Sequence, residues 1–355
     1  MIGRKKSLAI IGGGRWSRVL MQYLLEQTEN TEIIWVTSHS KQQNAEWLKQ
    51  KNTDRVFLHD SKTFNWDQPL SAVIIATSAS DHDVAIQKAL QYELPVLCEK
   101  PLTFSYEKAK AYQIEARHKY LPLGIHYEYL FAEYLLKFSA QLVSEVIRHV
   151  EVHWSDPDNE VRGNEIKRAD FSTPVTQDCY GHCWSLLKAI GLPVVQELID
   201  LKLNRDNSIE ITNKHQGFQS NFFISRRGKI RQRSISINNG KYKIDFSIEP
   251  AMKQKPVALA IASFLQVSKN STLTKEWPLS IDHCIDTVRL AEEASKLLSV
   301  RQKILLTEKN LDKVDLDNLL LDMYLPLQNP KLRLQTESDF LSATEAAENF
   351  FRVKT

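Results

Sequence analysis

One lysine closes an apolar run: Pro95, Val96, Leu97 and Cys98 lead into Glu99-Lys100-Pro101. This pattern predicts a buried parallel strand that delivers an ammonium group to the carboxyl edge of a sheet, where open α/β sheets bind ligands. An ammonium there can donate to an oxygen as negative charge develops on it. With desolvation or a neighbouring cation its pKa falls and it can exchange a proton. Taken alone, Lys100 reads equally well as an ordinary surface lysine. Asp178 and His182 stand four apart, so a helix begun by Asp178 sets both on one face. An imidazole titrates nearest neutrality, which suits a general acid or base, and Asp178 could orient it or hold a substrate hydroxyl. A histidine so close to Trp184 is also a natural core residue. His126 follows a short apolar strand at 121–125 that exits toward the same edge, where it can touch a substrate or serve the structure. Cys179, His182 and Cys183 offer metal-ligand chemistry but no fourth ligand and no Cys-x-x-Cys pair, so no metal site is expected.

The elements that must position these groups are legible upstream. Ser7-Leu8-Ala9-Ile10-Ile11 breaks into Gly12-Gly13-Gly14-Arg15-Trp16-Ser17, and a helical pattern with Val19, Leu20, Leu24 and Leu25 on one side follows. Strand, glycine turn and helix in this order form a dinucleotide-binding context. Gly12 permits the tight turn and Gly14 lets the backbone approach a pyrophosphate, which the helix amino terminus then faces with unpaired N–H groups. Ser17 occupies the third glycine position, small but a departure from the strict pattern. The second strand, 32–36, ends at Thr37-Ser38-His39-Ser40-Lys41 with no acid for a ribose 2′-hydroxyl. Hydroxyls and positive charge at Ser38, His39, Ser40 and Lys41 suit a 2′-phosphate instead, so NADP is expected, with NAD as the alternative. Further strands at 55–58 and 72–76, with a helix over 84–90, complete a strand–helix alternation that predicts a parallel sheet.

Together the glycine turn, AVIIATSASDH at 72–82 and VLCEKPL at 96–102 resemble the glucose-fructose oxidoreductase, inositol dehydrogenase and MocA family. LPLGIHYEYLF at 121–131 is similar to that family's next strand, and QDCYGHCWSLLKAIG at 177–191 resembles its Asp-x-x-x-His helix. The resemblance covers about 7–300. It implies an NAD(P)-dependent oxidoreductase that moves a hydride between nicotinamide and a carbonyl or alcohol carbon of a sugar-like or cyclitol substrate. It also implies Lys100 as the catalytic lysine, His182 as acid or base supported by Asp178, and substrate contacts at Lys100, His126, Asp178 and His182. Cofactor contacts are implied at Gly12, Gly14, Arg15, Trp16, Thr77, Ser78, His82 and Glu99. Departures fall at Ser78, in place of a usual proline, at Cys183 and Ser185, where relatives carry acids, and at Tyr129, near a frequent arginine. They leave room for a biosynthetic imine or another non-sugar carbonyl as substrate, or for a non-catalytic nucleotide-binding regulator.

From about 147 the texture changes to polar–apolar alternation, at 147–154, 208–214, 220–228, 230–240 and 241–248, with turns at Gly217, Gly228 and Asn239-Gly240. Such alternation predicts a large, mostly antiparallel sheet with one open face, a candidate homo-oligomer interface. Residues 155–177 read as a long polar loop whose Arg162, Lys167 and Arg168 are solvated charges. Helical periodicity returns at 257–266 and 283–298, and two more helices are expected near 311–323 and 338–351. The expected organisation is a Rossmann dinucleotide-binding domain at 1–124, an α+β substrate and oligomerisation domain at 125–300, and a packed extension at 301–355. A net charge of +3 argues against a nucleic-acid surface. The densest basic cluster, Arg226, Arg227, Lys229, Arg231 and Arg233, reads as a solvated strand face. Four cysteines form no disulfide framework for 355 residues. With no membrane-length apolar run and no signal-peptide core, a small-molecule enzyme of the cytoplasm is expected.

Overall fold

The structure is a computed structural model that describes residues 7–38, 40–157, 159–162, 165–168, 173–204, 208–226 and 228–307. It divides into two compact units that interleave along the chain. The first comprises Met1–Glu133 and Lys253–Val288, and the second Tyr134–Met252 and Arg289–Thr355. His39 and the extension beyond 307, with the helices expected in it, lie outside the described residues.

In the first unit, strands β1 (Ser7–Ile11), β2 (Ile33–Thr37), β3 (Val56–Asp60), β4 (Leu70–Ile75), β5 (Val96–Cys98) and β6 (Leu123–Ile125) form one parallel sheet. Its order is β3-β2-β1-β4-β5-β6. Helices α1 (Arg15–Gln27), α2 (Lys41–Lys51), α3 (His82–Gln91) and α4 (Tyr106–His118) make the crossovers. Every residue of β1 and β2 is buried, as continuous apolar runs require when helices cover both faces. The order reverses between β1 and β4, the switch point at which such sheets accept a dinucleotide.

β6 is finished by chain that returns from far downstream. Ile125 N donates to Leu279 O at 2.9 Å, and Gly124 bridges Ser280. A Cβ at Gly124 would lie 2.2 Å from the Trp277 ring, so only glycine lets that indole lie flat on the strand.

In the second unit, α5 (Glu133–Ser139) leads to β7 (His149–Ser155) and a hairpin of β8 (Asn159–Arg162) and β9 (Glu165–Arg168). Next come α6 (Val175–Ala189), β10 (Glu197–Leu203), β11 (Ile209–Lys214), β12 (Gln219–Ser225), β13 (Gln232–Ile237) and β14 (Tyr242–Asp245). The sheet runs β10-β11-β12-β7-β13-β14. It is antiparallel except that β7 and β12 pair in parallel, from His149 opposite Gln219 to Ser155 opposite Ser225. Helix α6 packs on β7 and β12, and only Asp178 and Lys188 among its residues are not buried. Val150, Val152 and Trp154 alternate inward along β7. Helix α7 (Pro256–Lys269) belongs to the first unit, packing on α1, as does the short α8 (Ile281–Cys284). The long α9 (Asp286–Thr307) carries the chain back to the second.

Two expectations are corrected. The loop expected over 155–177 contains the β8–β9 hairpin and the start of α6, because Val161 and Ile166 face each other in a short ladder too polar to announce itself. The basic cluster is not a solvated face: Arg226 is 3% and Arg233 1% exposed. Arg233 pairs with Asp156 at 2.6 Å and donates to Ser155 O and Gln232 O. Arg226 donates to Thr173 O, so carbonyls and a carboxylate satisfy charges that the sequence alone would assign to water.

Candidate active site

Three loops meet at the carboxyl edge of the first unit's sheet. The first is the glycine turn. Gly12 has φ +136°, and a Cβ there would stand 2.1 Å from Ala76 O on the neighbouring strand end. Both the left-handed backbone and the close approach exclude a side chain. A Cβ on Gly13 would lie 2.0 Å from Thr37 Oγ1, whereas the space at Gly14 is open. Gly14 is therefore the glycine that presents bare backbone outward, at the start of a helix with no acid in its first turn and no side-chain cap. Two buried groups hold the turn in place. Trp35 Nε1 donates to Gly12 O at 2.7 Å, and Asn44 Nδ2 to Gly13 O at 3.1 Å. Ser17, buried at the third glycine position, donates to Gly14 O at 2.6 Å.

The second loop follows β4. Thr77 is half-buried and Ser78 exposed. His82 is buried with Nδ1 2.7 Å from Pro101 O and Nε2 3.3 Å from Thr77 O. Burial pushes its pKa down, so His82 acts as a neutral tie between two loops, both ring nitrogens already engaged by backbone.

The third loop follows β5 and carries Glu99, Lys100 and the cis bond to Pro101. Glu99 accepts from Trp16 Nε1 and lies 2.5 Å, through Oε1, from His126 Nδ1 at the end of β6. Burial alone would raise the Glu99 carboxyl, but the His126 charge and hydrogen bond, the Trp16 N–H and the Lys100 charge outweigh it and hold the pKa low. Burial would likewise lower His126, and Glu99 outweighs that too, raising it. Opposite shifts in two touching groups describe a buried imidazolium–carboxylate pair. Lys100, next to it, is half-buried. The structure thus brings together Gly12, Gly14, Arg15, Trp16, Thr77, Ser78, His82, Glu99, Lys100 and His126 on one edge.

At the end of β2, Ser38 is exposed and Ser40 is the N-cap residue of α2, making no side-chain capping bond. No acid occupies the first turn of α2.

Asp178 and His182 belong to the second unit. Both lie on α6, one turn apart; Asp178 is partly exposed and His182 buried. His182 lies flat on Trp154, with centroids 4.3 Å apart and planes at 12°. The Arg233 guanidinium sits 3.5 Å from the same indole centroid, and Asp156 closes the stack. Trp154, Arg233 and Asn44 escaped the sequence reading. The parity of Trp154 with the inward-facing Val150 and Val152 was the one signal for it.

Such a sheet, with a bare-backbone turn at its switch point and a lysine at the adjoining strand end, defines a dinucleotide-binding oxidoreductase fold. Residues 6–127 match the model described as "Oxidoreductase family, NAD-binding Rossmann fold". This part of the chain belongs to that glucose-fructose oxidoreductase, inositol dehydrogenase and MocA family. An inositol 2-dehydrogenase of Arthrobacter sp. is 32% identical over 120 residues, 33% of this chain and 35% of the relative. The match therefore spans about a third of that curated relative's length. Solved structures share the fold over more of the chain. A dehydrogenase from Chromobacterium violaceum covers 86% of this chain and 99% of its own at TM-score 0.65 and 12% identity. An oxidoreductase from Agrobacterium radiobacter in complex with NAD+, L-tartaric acid and magnesium covers 82% and 96% at 0.62 and 15%. A 3-ketoreductase from Actinomadura kijaniata, a mutant in complex with TDP-benzene and NADP, covers 82% and 98% at 0.62 and 16%.

Proposed function

We propose that the protein is an NADP-dependent oxidoreductase that transfers a hydride between nicotinamide and a carbonyl or alcohol carbon of a sugar-like or cyclitol substrate. The observation that carries this reading is Lys100 beside the buried Glu99–His126 pair, on the same sheet edge as a glycine turn that leaves bare backbone at Gly14. The fit to a dinucleotide rests on that turn: the Gly12 position admits no Cβ, and the α1 amino terminus carries no acid to repel a pyrophosphate. When bound, the nicotinamide supplies the hydride or accepts it. The chain does the rest. Lys100 donates to the substrate oxygen and stabilises charge as it develops. His182 gives or takes the proton, and Asp178 orients the imidazole or holds a hydroxyl. Gly12, Gly14, Arg15 and Trp16 hold the pyrophosphate side, while Thr77, Ser78 and Glu99 line the nicotinamide side. Ser38, His39, Ser40 and Lys41 receive a 2′-phosphate. The sugar or cyclitol class is favoured by the 32% identity to an inositol 2-dehydrogenase; a biosynthetic imine stays the rival. A homo-oligomer would form through the sheet face opposite α6, where His153 stacks on Phe223 at 4.6 Å. Among the described residues no helix is long and apolar enough to cross a membrane.

Purified protein mixed with NADPH and a panel of keto-sugars, inososes and imines tests the reading. Lys100→Met should lower turnover about 10²–10⁴-fold and leave dinucleotide affinity within about twofold. Full activity in that variant would refute the assigned mechanism, and intact dinucleotide binding with no hydride transfer to any class would favour a regulatory protein.

A further inference from the structure

The Glu99–His126 pair is more elaborate than a structural tie requires. Two N–H groups, from Trp16 in the first turn of α1 and His126 at the end of β6, converge on one oxygen, Glu99 Oε1, at the end of β5. The imidazole is 1% exposed, and its second nitrogen, Nε2, is buried with no hydrogen-bond partner in the structure. A buried charged donor left unmatched is costly. An apolar side chain, or a glutamine reaching Glu99, would fill the place without that cost. The backbone here is also held firmly: His126 N donates to Cys98 O at 2.8 Å, Ile125 N to Leu279 O at 2.9 Å, and Tyr127 Oη to Thr287 Oγ1 at 2.9 Å. Nε2 is therefore a fixed donor rather than one awaiting rotation.

The sheet order indicates which ligand it faces. A dinucleotide laid across the β1/β4 switch point puts its adenosine over β2 and β3 and its nicotinamide over β4, β5 and β6. His126 stands at the end of β6 and its partner at the end of β5. The neutral oxygen acceptor of that half is the ring's carboxamide.

We propose that His126 Nε2–H, kept charged by Glu99, donates to the carboxamide oxygen of the nicotinamide and thereby sets the rotation of the ring beside Lys100. This deepens the oxidoreductase reading and rests on it. Trp16 keeps Glu99 from turning away, so the glycine turn and the ring-orienting donor are joined through one carboxylate. The charged groups acting on His126 are Glu99 from β5 and Glu128 from the turn after β6; Lys100 acts on both of those carboxylates. The pair itself is neutral, which strengthens the donor without adding net charge beside the ammonium.

The test uses the full chain and two kinds of ligand. NADPH and NADH carry the carboxamide; ADP-ribose and its 2′-phosphate lack the whole ring. In His126→Gln, and in the double variant His126→Leu with Glu99→Gln, which removes both charges together, NADPH and NADH should bind at least tenfold more weakly. ADP-ribose and its 2′-phosphate should bind within twofold of the wild type. Histidine ¹⁵N spectra of the ligand-free wild type at pH 7.5 should show one imidazole protonated on both nitrogens, absent in His126→Gln; this reading needs no variant to fold. Equal weakening of all four ligands, no weakening of any, or a neutral His126 would each overturn the proposal. Wild-type protein that binds ADP-ribose and NADPH equally tightly overturns it as well. Wild-type protein that binds none of the four refutes the oxidoreductase reading and the proposal with it, whereas the other failures leave that reading standing.

Discussion

At the scale of single residues, the least expected feature is the stack behind His182. An imidazole lying on an indole loses the freedom to turn, and the indole is itself held by a buried guanidinium on its ring and a carboxylate behind that. Such aromatic and cation–π contacts contribute about 0.5–2 kcal/mol each beyond area burial. Trp154→Leu should destabilise the second unit by about 2–4 kcal/mol and, if His182 handles the proton, lower kcat more than it raises KM. A thermal melt and steady-state kinetics on the same preparation check both, and unchanged kcat would release His182 from its assigned role. The candidate groups were legible because their types are uncommon at such places: a lysine closing an apolar strand, a histidine four after an aspartate. Their supports were not. Trp154, Arg233 and Asn44 act through partners distant in the chain, and no local spacing marks a contact such as that between Asn44 and Gly13.

At the scale of elements, the glycine turn and the start of α2 make separable predictions. Gly12→Ala must force a Cβ against Ala76 O at a φ of +136°. It should cost on the order of 3 kcal/mol and lower the melting temperature even without ligand, whereas alanine at Gly14 meets open space and should affect dinucleotide binding alone. Ser40→Glu puts a carboxylate at the amino terminus of α2. That should weaken NADPH about tenfold or more through like-charge repulsion while NADH binding is retained or improved; fluorescence titration of both gives the ratio. If NADPH and NADH respond alike, the 2′-phosphate does not sit there. Strands of both sheets could be read to within one or two residues where apolar runs or strict alternation mark them, as in β1, β5, β7 and β11. β8 and β9 were lost among polar residues, and β10 was missed because a register shift between Leu198 and Asp200 breaks its alternation.

At the scale of the molecule, buried histidines of opposite sign shape the pH dependence of stability. Burial lowers the pKa of His82 and of His215, whose Nδ1 lies 2.8 Å from Pro193 O and Nε2 2.8 Å from Ser220 Oγ. Both are favoured neutral in the fold. Their contribution is complete above the unfolded value near 6.5 and is lost as pH falls toward their lowered folded values. His126 runs the other way: its pKa is raised, so its contribution is complete below about 6.5 and is lost as pH rises through the folded value. Glu99 adds stability that disappears as pH drops through its own depressed value. The melting temperature should therefore peak near neutrality and fall by a few degrees toward pH 5.5. His215→Asn should flatten the acid limb even though it melts lower, and an acid limb unaltered by that change would assign the loss elsewhere. The interleaving of the units has no counterpart in local sequence, since 253–288 reads as ordinary helix and gives no sign that it returns to the first sheet.

That return decides the order in which the molecule can be made. While the ribosome is still short of Leu279, the outer rim of β6 has its main-chain groups open, and α1 lacks the helix that shelters it. The first unit, although it leads the chain, is among the last to be completed. For the same reason no single proteolytic nick or split in the gene can liberate either half intact; the two must be inherited, translated and matured as one piece.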